Sequence, residues 1–282
     1  DINSTNLTSL EIDYLDVECN KLNLPNLKKL CVNDALMCGF SSKKYFNEGL
    51  EYLEIKEICK NNFPHLPNSL ISLRIGSMKL NFDFVVFPVG LIELELTITD
   101  ISTIGDSMKQ LLNLKKLKLS NFRHSISNCL PDSLEILDLG DEYCYQIFKL
   151  PKYLKELHIG FPRNEESHEL PNLIKLTIEF LPEKSWCNNF NFSKLEELCI
   201  KSGETNFTLP SLKKLICHPK FYIPATIKID TYETVSCLRY RSFSKCWKII
   251  RFDNFCAIES HDSFKERNEY NKNIDIYFQL VY

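Results

Sequence analysis

The chain has 282 residues, 44% of them apolar and 25% charged, with a formal net charge of -3. A near-neutral balance gives no bulk electrostatic drive toward nucleic acid or an acidic membrane surface. No apolar run approaches a bilayer span, and no signal peptide is visible in the sequence.

From Leu7 onward one short unit, L-x-x-L-x-[LI], recurs along most of the chain. Copies open at Leu7, Leu27, Leu50, Leu70, Leu91, Leu114, Leu134, Leu154, Leu173, Leu195 and Leu212, at spacings of 17 to 23 residues. In each copy the last two apolar residues are two apart, so both leave the same face of a strand. A single strand with one apolar face cannot fold alone. Parallel stacking of copies buries a continuous core of Leu and Ile, and the intervening residues line the opposite, open face. The fold class expected is strand-rich α/β, a solenoid with a right-handed curved parallel β-sheet.

The rest of each unit must return across the back of the sheet. Pro25, Pro67, Pro88, Pro131, Pro151, Pro171 and Pro210 lie two or three places before the first leucine. Proline suits extended return segments and not the interior of a helix. Irregular convex segments follow, with short helices expected at 42–48 and at 107–112, the latter capped by Asp106 or Ser107. After Cys217 the period fails. Val235, Leu238 and Tyr240, or residues 223–229, are candidates for a twelfth strand. Residues 1–217 form the array of about eleven repeats, and 218–282 a last irregular repeat and C-terminal cap of mixed structure ending in a strand, because an array needs its last apolar face covered.

The period of about 20 residues and the L-x-x-L-x-L frame resemble the leucine-rich repeat. The Leu-Pro-led copies, as in LPDSLEILDLG from Leu130 and LPKYLKELHIG from Leu150, resemble FNIP-type repeats and the LP-rich repeats of bacterial effector proteins. One departure stands out. The Asn or Cys that the family carries eight places after the first leucine is replaced by Leu15, Ala35, Ile58, Met78, Thr99, Phe122, Glu142 and Pro162. In the family that side chain satisfies backbone groups in the turn after the strand, so its absence predicts irregular turns here.

The open face carries columns of alternating charge. The middle column runs Glu54, Arg74, Glu95, Lys118, Asp138, His158, and the column before it includes Glu93, Lys116, Glu156, Lys175, Glu197 and Lys214. Neighbouring parallel strands bring opposite charges together, which holds register and also offers a partner a patterned surface. A nucleic-acid groove needs a single-sign stripe instead. The next column is small at Gly76, Thr97, Ser120, Gly140 and Gly160, leaving room for close approach. Phe122, Tyr143, Tyr145 and Phe161 follow it in the adjoining turns as candidate anchors, with inward packing the alternative for Phe122 and Tyr143.

Catalytic signals are lacking. No phosphate-binding glycine loop is present, and the six histidines show no metal-ligand spacing. Cys217 and His218 are adjacent, so a strand would send them to opposite faces, poor for a nucleophile and its base. No cofactor is expected. The twelve cysteines are widely scattered without a C-x-x-C, which points to a reduced, cytoplasmic or nuclear protein. N-x-[ST] triplets at Asn3, Asn6, Asn191 and Asn206 speak for the extracellular alternative. The chain starts at Asp1 and reaches a repeat within seven residues, as a piece of a longer or processed protein would.

The expected function is a monomeric, non-enzymatic protein-interaction module using its concave sheet and adjoining turns. The resemblance implies the substrate-recognition part of an F-box-type ubiquitin ligase. The alternatives are a bacterial effector acting on host proteins and an extracellular receptor ectodomain.

Overall fold

The computed structural model describes residues 2–3, 5–16, 22–36, 46–59, 65–78, 86–98, 106–122, 125–126, 130–145, 149–161, 170–180, 193–202, 211–217, 246–252, 255–261 and 277–280. Two compact units divide the chain, Asp1–Arg163 and Asn164–Tyr282. This division by compactness differs from the division by sequence period, which places residues up to 217 with the repeats.

In the first unit a two-residue pair, β1 (Ile2–Asn3) and β3 (Leu22–Asn23), runs parallel. The main sheet contains β2 (Ser9–Asp16), β4 (Lys29–Leu36), β5 (Tyr52–Cys59), β6 (Ser72–Met78), β7 (Glu93–Ile98), β8 (Lys116–Ser120), β9 (Ile136–Asp138) and β10 (Glu156–Ile159). Its strands lie side by side in that order, every pair parallel. The register sets repeat on repeat: Leu10, Leu30, Leu53, Leu73, Leu94, Leu117, Leu137 and Leu157 are consecutive partners. From Leu30 to Leu157 these leucines are buried, while their strand neighbours are half-exposed or exposed apart from the buried Ser72. Each buried leucine contributes roughly 1.5–3 kcal/mol relative to leaving it in water, and no strand can obtain this alone.

The second unit repeats the plan with β11 (Lys175–Phe180), β12 (Glu197–Ser202) and β13 (Lys214–Cys217), again parallel, with Leu176, Leu198 and Leu215 in register. It also holds an antiparallel sheet of β14 (Cys246–Phe252), β15 (Phe255–His261) and β16 (Tyr277–Leu280). Both candidates for a twelfth repeat strand lie outside the described residues, as do residues 42–45 of one expected short helix. The other expected helix is present as a 3-10 turn at Asp106–Gln110.

The prolines do more than extend the return path. The N–H groups of Leu70, Leu91, Leu134 and Leu154 donate to the carbonyls of Pro67, Pro88, Pro131 and Pro151 at 3.1–3.3 Å, closing a tight turn that aims each strand. Ser69 Oγ donates to the Leu50 carbonyl at 2.6 Å, and Ser133 Oγ to the Leu114 carbonyl at 2.8 Å. The residue before the opening leucine thereby stitches its repeat to the previous one.

The missing Asn column has a different solution in the first repeats. There the strands run on past it, pairing Leu15 with Ala35 and Ala35 with Ile58, so the sheet ladder itself satisfies the backbone. Leu15 and Ala35 are buried, and the positions serve the core rather than a polar turn. In these first repeats longer strands replace the irregular turns expected from the departure, while at Met78 the register with β7 does shift.

Candidate functional site: the open face and its flanking turns

The charge ladder on the open face of the first unit is assembled by the strand register, which brings each candidate beside the next. Arg74 Nε lies 3.7 Å from Glu95 Oε2, and its Nη2 4.0 Å from Glu93 Oε2. Lys118 Nζ reaches the other Glu95 oxygen at 3.0 Å. Glu95 is thus held from both sides. At the near end, Tyr52 donates its hydroxyl to Glu54, while Lys29 and Arg74 stand over its ring at 4.9 and 5.6 Å. Burial and the bond to Glu54 push the Tyr52 phenol well above its usual range.

At the far end, His158 is clamped. Its Nδ1 is 2.8 Å from Asp138 Oδ1, and its Nε2 is 2.8 Å from Asp141 Oδ1. Asp138 Oδ1 also accepts the Gly140 N–H at 2.9 Å. Two carboxylates facing the two ring nitrogens require a ring that donates from both, the imidazolium. Partial burial opposes the charge, but the two aspartates outweigh it and raise the His158 pKa to about 9. Burial also opposes charge on Asp138, yet the bond from His158 holds its carboxyl below the usual range.

A pH dependence follows with a definite sign. The raised pKa stabilises the fold fully below about pH 6.5, where the histidine is charged folded or unfolded. That stability is lost as pH rises through about 9. Discounted for partial solvent exposure, it amounts to about 2 kcal/mol. The difference in urea-unfolding free energy between wild type and His158→Gln should therefore shrink steadily from pH 6 to pH 9.5. A constant difference would show that the clamp carries no charge.

The turn candidates separate into two pairs. Phe122 and Tyr143 are 0% exposed and are withdrawn as partner anchors. Their rings stack at 6.2 Å and 8°, and the Tyr143 hydroxyl accepts the Ile126 N–H at 3.3 Å. After β8 the position where the family keeps an Asn is Phe122, and its ring, stacked on Tyr143, fills the turn core instead. Tyr145 and Phe161 are each 38% exposed. Tyr145 meets Tyr143 edge-on at 6.0 Å, and the Phe161 N–H donates to the Tyr143 carbonyl at 2.7 Å. Tyr145 is tied to the buried Tyr143 by its ring, and Phe161 by its backbone N–H.

The strip of small residues also needs correction. A Cβ on Gly76 would stand 1.8 Å from the Lys56 carbonyl oxygen, and one on Gly160 2.0 Å from that of Asp141. The space that looked free for a partner is filled by the preceding repeat. Gly140 has room, but its φ of +75° is left-handed, which favours glycine.

One column escaped the sequence reading. The residue directly after the opening leucine gives Lys28–Glu51 at 2.7 Å, Lys115–Glu135 at 2.7 Å and Lys155–Glu135 at 2.5 Å, with Lys213–Glu196 at 2.9 Å in the second unit. Hydrogen bonds from Lys115 and Lys155 lower the Glu135 pKa to about 2. Its signal was present as alternation of Lys and Glu at that position, interrupted by isoleucines.

Among the described residues no group of three or more His, Cys, Asp or Glu could hold a metal ion, and no helix is long and apolar enough to cross a membrane.

Leucine-led strands stacked in parallel register on a common buried face define a leucine-rich-repeat solenoid. No family model matches the sequence. It is 24% identical over 211 residues to Toll-like receptor 2 type-1 of Gallus gallus, covering 68% of this chain and 26% of that protein. Toll-like receptor 2 of Bubalus bubalis is 26% identical over 182 residues, 57% of this chain and 22% of the receptor. The chain thus spans about a quarter of the length of the curated relatives it matches. Among solved structures, YopM from Yersinia enterocolitica WA-314 aligns with a TM-score of 0.40 and 19% identity, over 78% of this chain and 50% of YopM.

Proposed function

We propose that this chain is a non-enzymatic protein-interaction module whose open face, with Tyr145 and Phe161, receives a protein partner. The FNIP-type resemblance extends the proposal to the substrate-recognition part of an F-box-type ubiquitin ligase in the cytoplasm or nucleus. The observation that carries the reading is the fixed charge pattern beside two exposed aromatics. Arg74, Glu95, Lys118, Asp138 and His158 are held in place by one another, so a partner of complementary pattern docks without ordering long side chains. Tyr145 and Phe161 supply large contact area on a rigid base.

Affinity capture from the native cell tests the reading. Tyr145→Ala with Phe161→Ala, and separately Arg74→Glu with Lys118→Glu, should each reduce recovery of the specific partner tenfold or more, a loss of about 1.4 kcal/mol. Co-purification of ligase subunits with the intact protein supports the finer reading. Equal recovery by all variants rejects this face.

The alignments to Toll-like receptor 2 favour a receptor ectodomain as the second reading. Among the described residues, Cys31 and Cys144 form no disulfide, which fits a reduced compartment. A thiol count under denaturing, non-reducing conditions separates the two: twelve free thiols fit the intracellular reading, and a majority of paired cysteines with glycan on Asn6 fits the receptor.

A further inference from the structure

The column directly after the opening leucines forms a continuous backbone hydrogen-bond chain along the leading edge of the first unit's sheet. The N–H of Glu51 donates to the Lys28 carbonyl, Ile71 to Glu51, Ile92 to Ile71, Lys115 to Ile92, and Glu135 to Lys115, all at 2.8–2.9 Å. Read along that edge, the side chains are Lys28, Glu51, Ile71, Ile92, Lys115 and Glu135. The centre is apolar and open to water: Ile71 is 41% and Ile92 39% exposed. Val86, Val89 and Leu112 are also exposed, and the Asn113 side chain donates to the Val89 carbonyl, which places Leu112 and Val89 in adjacent turns beside this centre. Exposed apolar side chains gathered in this way mark an interaction surface more often than scattered ones do.

The pattern is self-complementary. Turned end for end about the midpoint between Ile71 and Ile92, the column matches itself with opposite charges opposed. Ile71 meets Ile92, Glu51 meets Lys115, and Lys28 meets Glu135. A two-fold interface demands this arrangement, in which residue i meets j and j meets i. The Lys28, Glu51 and Lys115 side chains are about half exposed, which leaves them room for a second partner. Glu135 is 29% exposed and already holds Lys115 and Lys155, so the Glu51–Lys115 contacts carry most of the charge match. Six strands at about 4.8 Å give a column about 24 Å long from first to last, short for a stable interface and suited to a weak one.

We infer that the leading edge around Ile71 and Ile92 is a two-fold self-association surface, and that a second copy of this chain docks there in reversed orientation. The monomer expected from the sequence is then the dilute form. The open face, Tyr145 and Phe161 are left to a different partner, and the two surfaces can be tested apart.

Sedimentation equilibrium of the full chain is the test, read as molecular mass against concentration up to the order of 500 μM, where a weak dimer populates. Wild type should rise from monomer toward dimer mass. Ile71→Asp with Ile92→Asp should weaken the association at least tenfold while the circular dichroism spectrum stays unchanged. Glu51→Lys alone and Lys115→Glu alone should each weaken it, and the two together should restore it. Positions 51 and 115 stand three strands apart in one chain, about 14 Å, so restoration cannot arise within a monomer. A constant monomer mass, a dimer indifferent to the aspartates, or a double variant as weak as the sum of the singles would each overturn the inference.

Discussion

Gly76→Ala should destabilise the first unit by about 3 kcal/mol or more, the largest cost expected among the described glycines. The added carbon would sit 1.8 Å from the Lys56 carbonyl oxygen, less than any non-bonded contact allows. The carbonyl has little room to step aside, because paired residues flank it on both sides, Ile55 with Ile75 and Glu57 with Ser77. Relief requires breaking the ladder where the sheet depends on it. Gly160→Ala should behave alike, meeting the Asp141 carbonyl at 2.0 Å and that of Tyr143 at 2.9 Å.

Gly140→Ala separates this mechanism from simple backbone preference. Its nearest obstruction is 3.8 Å away, and only its left-handed φ resists, at a cost of about 1–2 kcal/mol. Gly90→Ala has neither problem, with its nearest atom at 3.7 Å, and should be neutral or slightly stabilising. Urea denaturation followed by circular dichroism ranks the four. If Gly76→Ala costs no more than Gly140→Ala, the close approach of Lys56 is not a feature of the folded chain.

These glycines also show what a sequence can and cannot reveal in a repeat protein. The leucine columns were legible because their cause is periodic: a spacing of two within a strand and about twenty between strands leaves one arrangement that hides them all. The charge ladder was legible for the same reason, since register follows from the leucines and opposite signs then fall side by side. Gly76 and Gly160 were visible as small residues, but their cause lies in another repeat's carbonyl, which no spacing encodes. Phe122 posed a similar problem. It stands at the position where the family keeps an Asn, and only the closed turn shows that a ring fills that volume. The alternation of Lys28 with Glu51 and of Lys115 with Glu135 was on the page yet hidden by Ile71 and Ile92 between them, residues that in isolation look like strand core. Beyond residue 217 no period remained to supply such constraints, and an antiparallel sheet built from Cys246–Phe252, Phe255–His261 and Tyr277–Leu280 follows different rules.

Tyr143→Ala should cost about 3–5 kcal/mol, in the range of buried aromatics cut to alanine. The ring is fully buried, stacks on Phe122 at 6.2 Å and carries Tyr145 against its edge at 6.0 Å. Its loss would empty the turn core and remove the ring that supports Tyr145. Tyr143→Phe keeps the ring and removes only the acceptor for the buried Ile126 N–H, at about 1–2 kcal/mol. Tyr145→Ala, by contrast, removes a partly exposed side chain and should change stability by under about 1 kcal/mol. Partner capture gives a second axis. Tyr145→Ala should weaken capture with the fold intact, and Tyr143→Phe should weaken it little, because the platform survives. Tyr143→Ala should lose both at once. A Tyr143→Ala protein that unfolds at the wild-type urea concentration would mean that the ring is not the support of this corner. Reduced capture by that stable protein would then return Tyr143 to the exposed anchors from which its burial removes it.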